Sequence, residues 1–224
     1  MENKIIIFGA SSSIAQELIT NLYKRYSIIA FSRKKLKIKK IIQYVGNYDN
    51  SSIIKILKKN ITSKKVKPIF LFFNSIADKD LFINSNIVDI KKIFYVNLLL
   101  PVILTNLIIK NFFYSKPIFI YMSSLRAKKY DEGITLYSTT KNSISFFAKN
   151  LNLEYSKFKI FFKVILLGLF KGGLEKNLSN KIINKIMRQF NNKKYSKIEH
   201  LVKIINNIIK SPNKTNVEID FLNI

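Results

Sequence analysis

Hydrophobic positions in this chain gather into short runs separated by longer stretches in which apolar and polar residues mix, and the alternation continues from one end to the other. The runs at 4–8, 28–31, 41–45, 69–73, 118–122, 162–167 and 217–221 are nearly continuous in apolar character. Continuous rather than alternating hydrophobicity marks strands covered on both faces, as in a parallel sheet. The intervening stretches at 14–25, 51–59, 87–110, 137–155, 178–190 and 198–210 read as helices. This order predicts an α/β chain with a Rossmann-type, doubly wound parallel sheet. No linker, repeat or low-complexity block divides it, so a single domain over 1–224 is expected. Right-handed crossovers then bring the loops to the carboxyl edge of the sheet, where ligands bind.

Composition supports a packed core without staples. The chain has 224 residues, 48% of them hydrophobic, with 18 Phe and 11 Tyr, and a domain of this size buries roughly 70% of its unfolded surface. Two stretches imitate membrane spans. The first, 93–109, is interrupted by Asn97, Pro101, Thr105 and Asn106, and the second, 160–170, is short and holds Lys163. A spanning helix needs about 20 apolar residues, so both read as buried elements. The apolar run at 5–8 is too short for the core of a signal peptide. A cytoplasmic protein with no membrane partner is expected.

Cysteine is absent and His200 is the one histidine. Disulfides, thiol catalysis and a Cys- or His-rich metal centre are thereby excluded, and no metal site is expected. The net charge of +26 suggests a nucleic-acid or anionic-surface partner. However, Lys is spread along the chain together with abundant Asn and Ile, the pattern an AT-rich coding sequence would leave, and the densest basic run is confined to 33–40. Biased composition is therefore preferred, and nucleic acid is not expected as a partner.

Candidate chemistry begins at the first strand-to-helix turn, Gly9-Ala10-Ser11-Ser12-Ser13-Ile14-Ala15-Gln16. A tight turn of small residues that opens a helix presents free N–H groups and the positive end of a helix dipole to an anion. Taken alone, it fits an ordinary capped turn equally well. The segment resembles the Gly-x-x-x-Gly-x-Gly turn of short-chain dehydrogenases, with Gly9 at the first glycine and Ser13 and Ala15 in place of the other two. The resemblance implies a nicotinamide cofactor whose phosphates meet Gly9, Ser11, Ser12, Ser13 and Ile14. After the second strand, Ser32-Arg33 stands where an acidic residue would select NAD. Arg33 suits a 2′-phosphate instead, so NADP(H) is favoured over NAD(H). The family's adenine-reading Asp has Gly46 or Asn47 in its place, and Asn74 falls in a stretch similar to the family's Asn-Asn-Ala-Gly motif.

Tyr137-Ser138-Thr139-Thr140-Lys141 opens the helix at 137–155. Residues i and i+4 share a helical face, and a lysine cation beside a phenol favours the phenolate, bringing a group of ordinary pKa about 10 toward acid–base use. A Tyr-x-x-x-Lys pair arises readily by chance in a chain with this much Tyr and Lys. Ser124, at the end of a strand and shortly before Tyr137, and Asn97, a polar residue within an apolar helix, match the family's remaining catalytic positions in order and setting. The resemblance covers the chain from Lys4 to the last strand. It implies that Tyr137 exchanges a proton with the reacting oxygen, Ser124 hydrogen-bonds that oxygen, and Lys141 lowers the tyrosine pKa and holds the nicotinamide ribose. It also implies that Asn97 maintains a kink and a water linking Lys141 to solvent.

The expected function is interconversion of a carbonyl and an alcohol in a small molecule, possible substrates being sugar-derived compounds of surface polysaccharide synthesis. The runner-up is reduction of a 3-oxoacyl group on an acyl carrier protein, and a third reading is a non-catalytic nucleotide-binding or interaction module. The segment 168–190 reads as a substrate loop and lid, with Phe170 and Lys171 beside the site. Arg126, Lys128 and Lys129 hint at an anionic or polyhydroxy substrate. The long helices at 87–110 and 137–155 carry more apolar residues than one sheet face covers, which predicts a homodimer or homotetramer.

Overall fold

The computed structural model describes residues 3–46, 50–62, 66–78, 80–129, 131–171, 188 and 195–221. Its strands are β1 (Asn3–Phe8), β2 (Ser27–Ser32), β3 (Ile42–Val45), β4 (Lys67–Phe72), β5 (Ile118–Ser124), β6 (Phe161–Leu167) and β7 (Glu218–Asp220). They form one seven-stranded sheet in the order β3-β2-β1-β4-β5-β6-β7, and each neighbouring pair is parallel. The apolar runs therefore mark all of these strands to within a few residues. Helices are α1 (Ser13–Leu22), α2 (Asn50–Asn60), α3 (Ile87–Phe94), α4 (Leu100–Phe112), α5 (Thr135–Tyr155) and α6 (Ile198–Lys210). The helix expected at 178–190 lies outside the described residues, apart from Arg188.

Alternation along the strands divides the core into two layers. Ile5 and Ile7 of β1 face α1 and α6, meeting Leu18, Leu201 and Ile205, whereas Ile6 and Phe8 face the layer that contains α2, α4 and α5. On that second face the phenylalanines stack strand upon strand. Phe8 lies 5.0 Å from Phe31 and 5.2 Å from Phe72, and Phe119 lies 4.8 Å from Phe162, ring centre to ring centre. Such pairs add about 0.5–1.5 kcal/mol each beyond their buried area. The heavy use of Phe thus becomes a cross-strand ladder that holds the sheet in register.

The stretch at 87–110 is not one regular helix. A π-helical turn, Tyr95–Leu99, joins α3 to α4 and holds Asn97. By length and composition, 87–115 is apolar enough to cross a membrane. In the fold its inner side packs on the sheet through Leu104, Ile108 and Phe112, while Leu99 and Tyr95 remain half exposed. The expectation of a buried element is met on one side only, because the sheet covers a single face of the helix.

Chain direction over the sheet reverses between β1 and β4, which are adjacent, and this opens a crevice at their carboxyl ends. Gly9 sits at that point with φ +75°, and a Cβ there would lie 2.8 Å from the backbone of Phe73 and Asn74. Glycine is required here by both the backbone conformation and the close approach of the β4 loop.

Candidate active site

The turn after β1 leaves the amino end of α1 open. Ser12 occupies the cap position but makes no side-chain capping bond, and the first turn of the helix has no acidic residue. Gly9 O accepts from Ser12 N at 3.1 Å, which closes the turn and leaves its hydroxyls to other partners. Ser11 and Ser12 are half-buried and Ser13 is exposed. Across the crevice, Asn74 Oδ1 is buried without a hydrogen-bond partner. An uncapped helix terminus and an orphaned polar atom facing one crevice fit the phosphate and ribose of a nucleotide. At the end of β2, Ser32 is buried and its hydroxyl donates to Lys34 O at 2.7 Å, while the neighbouring Arg33 is exposed. Gly46 closes β3 against Ser32 O at 3.1 Å, and Asn47 lies outside the described residues.

The residues singled out from sequence for catalysis come from three separate elements and meet at the same edge of the sheet. Asn97 is only 1% exposed. Its side chain grips the β4 loop twice, accepting from Ile76 N at 2.8 Å and donating to Ile76 O at 2.8 Å, and it also donates to Thr140 Oγ1 of α5 at 3.1 Å. The π turn is the local distortion that aims this amide across to the loop. One turn of α5 separates Tyr137 from Lys141, whose ammonium lies 5.8 Å from the centre of the tyrosine ring. Lys141 Nζ donates to Met122 O at 2.8 Å and, more loosely, to Asn74 O at 3.5 Å. Ser124, the last residue of β5, lies beside the Tyr137 phenol, where its hydroxyl favours the phenolate, and its Oγ accepts from Arg126 N at 3.2 Å.

Electrostatics differ from what helix spacing alone suggests. Burial pushes the Tyr137 phenol above its ordinary value, and the groups that oppose this are Ser124, the Arg126 charge and Ser75. Ser75 Oγ is close enough to act on the phenol yet completes no hydrogen bond. Lys141 is itself 3% exposed, and burial brings it down to about 7, so its charge is only partly present at neutral pH. The cation that favours phenolate in this arrangement is Arg126.

One residue of the site was not singled out from sequence. Ile134, at the cap position of α5, has no acceptor to offer, and the first helical turn has no acid. Asp78, from the loop after β4, supplies the cap instead. Its Oδ2 accepts from Leu136 N and its Oδ1 from Tyr137 N, both at 2.7 Å. The apolar cap residue was the available signal, since it leaves the helix in need of a remote acceptor. Other expectations are corrected. Phe170 does not stand beside the site but packs in the core edge-on to Phe221 at 5.3 Å. Lys128 is engaged with Glu218 at 2.9 Å, a carboxylate shared with Lys149 at 3.1 Å. Most of the lid expected at 168–190 lies outside the described residues, and among the described residues no acidic or histidine cluster suits a metal ion.

A search of curated protein sequences finds no match to this chain. Among solved structures it is similar to a 4-hydroxyisoleucine dehydrogenase in complex with NADH, at 21% identity and a TM-score of 0.81, covering 97% of this chain and 96% of that one. It is also similar to the aldohexose dehydrogenase of Thermoplasma acidophilum in ligand-free form, at 15% identity, TM-score 0.80 and coverage of 98% and 92%. A variant of ElxO with NADPH bound matches at 14% identity and TM-score 0.77, with 99% and 97% covered. The family model for short chain dehydrogenases matches residues 3–182, most of the chain. With the crevice at β1 and β4 and the Asn-Ser-Tyr-Lys grouping at the sheet edge, this chain belongs to the short-chain dehydrogenase family.

Proposed function

We propose that this protein is an NADP(H)-dependent oxidoreductase that interconverts a carbonyl and an alcohol in a small, sugar-derived substrate, with Tyr137 as the proton-exchanging group. Family membership already carries the coarser statement, a nicotinamide-dependent oxidoreductase acting on a CH–OH/C=O pair. The observation that carries the finer reading is the placement of the Tyr137 phenol against Ser124, with Lys141 one turn along and Asn97 behind. When bound, the nicotinamide supplies or accepts the hydride. Ser124 and Tyr137 hydrogen-bond the reacting oxygen as its charge develops, and Tyr137 gives or takes the proton. Lys141, anchored on Met122 O, would hold the ribose of the cofactor, and Asn97 fixes the β4 loop at the edge of its site. Gly9, Ser11, Ser12, Ser13, Ile14 and Asn74 would receive its phosphates and ribose.

Two measurements test this. Titration of NADPH and NADH, followed by cofactor fluorescence, is expected to give binding that survives Tyr137→Phe, while turnover over a carbonyl panel is lost. Binding with no turnover in the unaltered protein would favour a nucleotide-binding module. The NADP preference rests on Arg33, exposed at the end of β2. Arg33→Ala is expected to weaken NADPH about tenfold and leave NADH unchanged, the share of one charge-assisted contact.

A homodimer or homotetramer is part of the same reading. A groove of about 800 Å³ runs between α4 and α5, lined by Phe94, Leu99, Val102, Phe146 and Phe147. Of these, Phe146 is 70% exposed, and contiguous apolar surface of this kind suits a second copy of the chain. Light scattering that shows a monomer would refute it. The cytoplasm is the proposed location.

A further inference from the structure

The loop that follows Ser124 carries Arg126, Lys128 and Lys129, and the structure separates Arg126 from Lys128. Lys128 points away to Glu218 on β7, an ion pair it shares with Lys149. Arg126 is placed differently. Its side chain is 16% exposed, its backbone N–H is fixed on Ser124 Oγ, and its charge acts on the Tyr137 phenol. Its carboxylate partner among the described residues, Asp131, is 3.7 Å away, beyond hydrogen-bond length. Among the described residues the guanidinium donates no hydrogen bond. A guanidinium withdrawn from water with its fork of donors unused is costly unless a ligand completes it.

We propose that Arg126 is the substrate-binding residue for an anionic group, a carboxylate or phosphate, carried a few bonds from the carbonyl on which Tyr137 acts. This rests on the oxidoreductase reading and narrows its substrate to anionic carbonyl or alcohol compounds. The geometry supplies the reason for the selectivity. A planar fork beside Ser124 and Tyr137 binds a two-oxygen anion with direction as well as charge, and so sets the carbonyl between the phenol and the serine hydroxyl. Asp131 holds the fork in place without accepting from it, and a neutral substrate would leave the donors of the fork without acceptors.

Matched substrates test the assignment. Acetoacetate is compared with its methyl ester, and dihydroxyacetone phosphate with dihydroxyacetone, using whichever nicotinamide the protein binds. At least one anion is expected to exceed its neutral partner in kcat/KM by on the order of 100-fold, and the arm that does so identifies carboxylate or phosphate. Arg126→Gln should collapse that ratio to near unity through KM, Arg126→Lys should restore part of it, and Lys128→Gln should leave it unaltered. Equal use of neutral and anionic partners by the unaltered protein, or a ratio unmoved in both Arg126 variants, overturns the assignment and leaves the oxidoreductase reading intact. No turnover of any carbonyl with either nicotinamide overturns both.

Discussion

Removal of the Asp78 carboxylate would show how firmly Tyr137 depends on a remote cap. Asp78 accepts the second and third N–H groups of α5 at 2.7 Å each, and the third belongs to Tyr137. These are the bonds that a cap side chain normally makes from within its own helix, and Ile134 makes neither. Asp78→Ala forfeits a cap, about 1 kcal/mol, and leaves a second, half-buried N–H short of a partner at about 1 kcal/mol. It also removes an anion from the positive end of α5, about 0.5 kcal/mol. The sum, about 2.5 kcal/mol, corresponds to a fall in Tm of roughly 5–10 °C for a chain of this size. Asp78→Asn keeps one acceptor and should lose about 1 kcal/mol. Urea unfolding gives these differences directly, and hydrogen exchange at the Leu136 and Tyr137 amides shows whether the loss is local. Because the frayed turn carries Tyr137, kcat should fall by ten- to a hundredfold, the cost of a misplacement of about 1 Å, with little change in cofactor binding. A loss of stability below about 0.5 kcal/mol in the alanine variant, the level of an ordinary surface change, would refute the reasoning.

Lys141 predicts a pH dependence of stability in the cofactor-free protein. Its pKa is about 7 when folded and 10.5 when unfolded, so the unfolded chain binds the extra proton in that window and stability rises from pH 7 toward 10. Lys141→Met should remove the rise between pH 7 and 8, and a slope unchanged there would place its origin elsewhere; above pH 8, Lys163, brought down to about 8 by burial, adds a rise of the same sign. Gly9→Ala should destabilise by at least about 2 kcal/mol, since φ +75° and a 2.8 Å approach to Phe73 and Asn74 leave no room for a methyl group; an unchanged thermal transition would contradict that.

How much of this was legible in sequence follows from the range of the interactions involved. Strands announce themselves by local hydrophobic runs, so all seven were readable, and the second face of the sheet explains why Phe is so frequent in them. Tyr137 and Lys141 were readable because helix geometry alone sets two residues four apart on one face. The π turn at Tyr95–Leu99 was expected only as a kink, through the family resemblance, and not from the hydrophobic pattern, since it depends on Asn97 reaching Ile76 in another loop. Asp78 is separated by 58 residues from Leu136, and only the adjacency of β4 and β5 brings the two together. The charges were the least legible. Spacing says that a lysine lies beside the phenol, but the sign and strength of its effect depend on how much water remains. In the folded chain the same burial raises Tyr137 and weakens the charge of Lys141. A cation four residues along the helix is therefore a weaker lever on the phenol than Arg126, which is placed by the loop after β5 and keeps its charge at neutral pH. The electrostatics around the Tyr137 phenol thus depend on the tertiary placement of an arginine as well as on the helical pair.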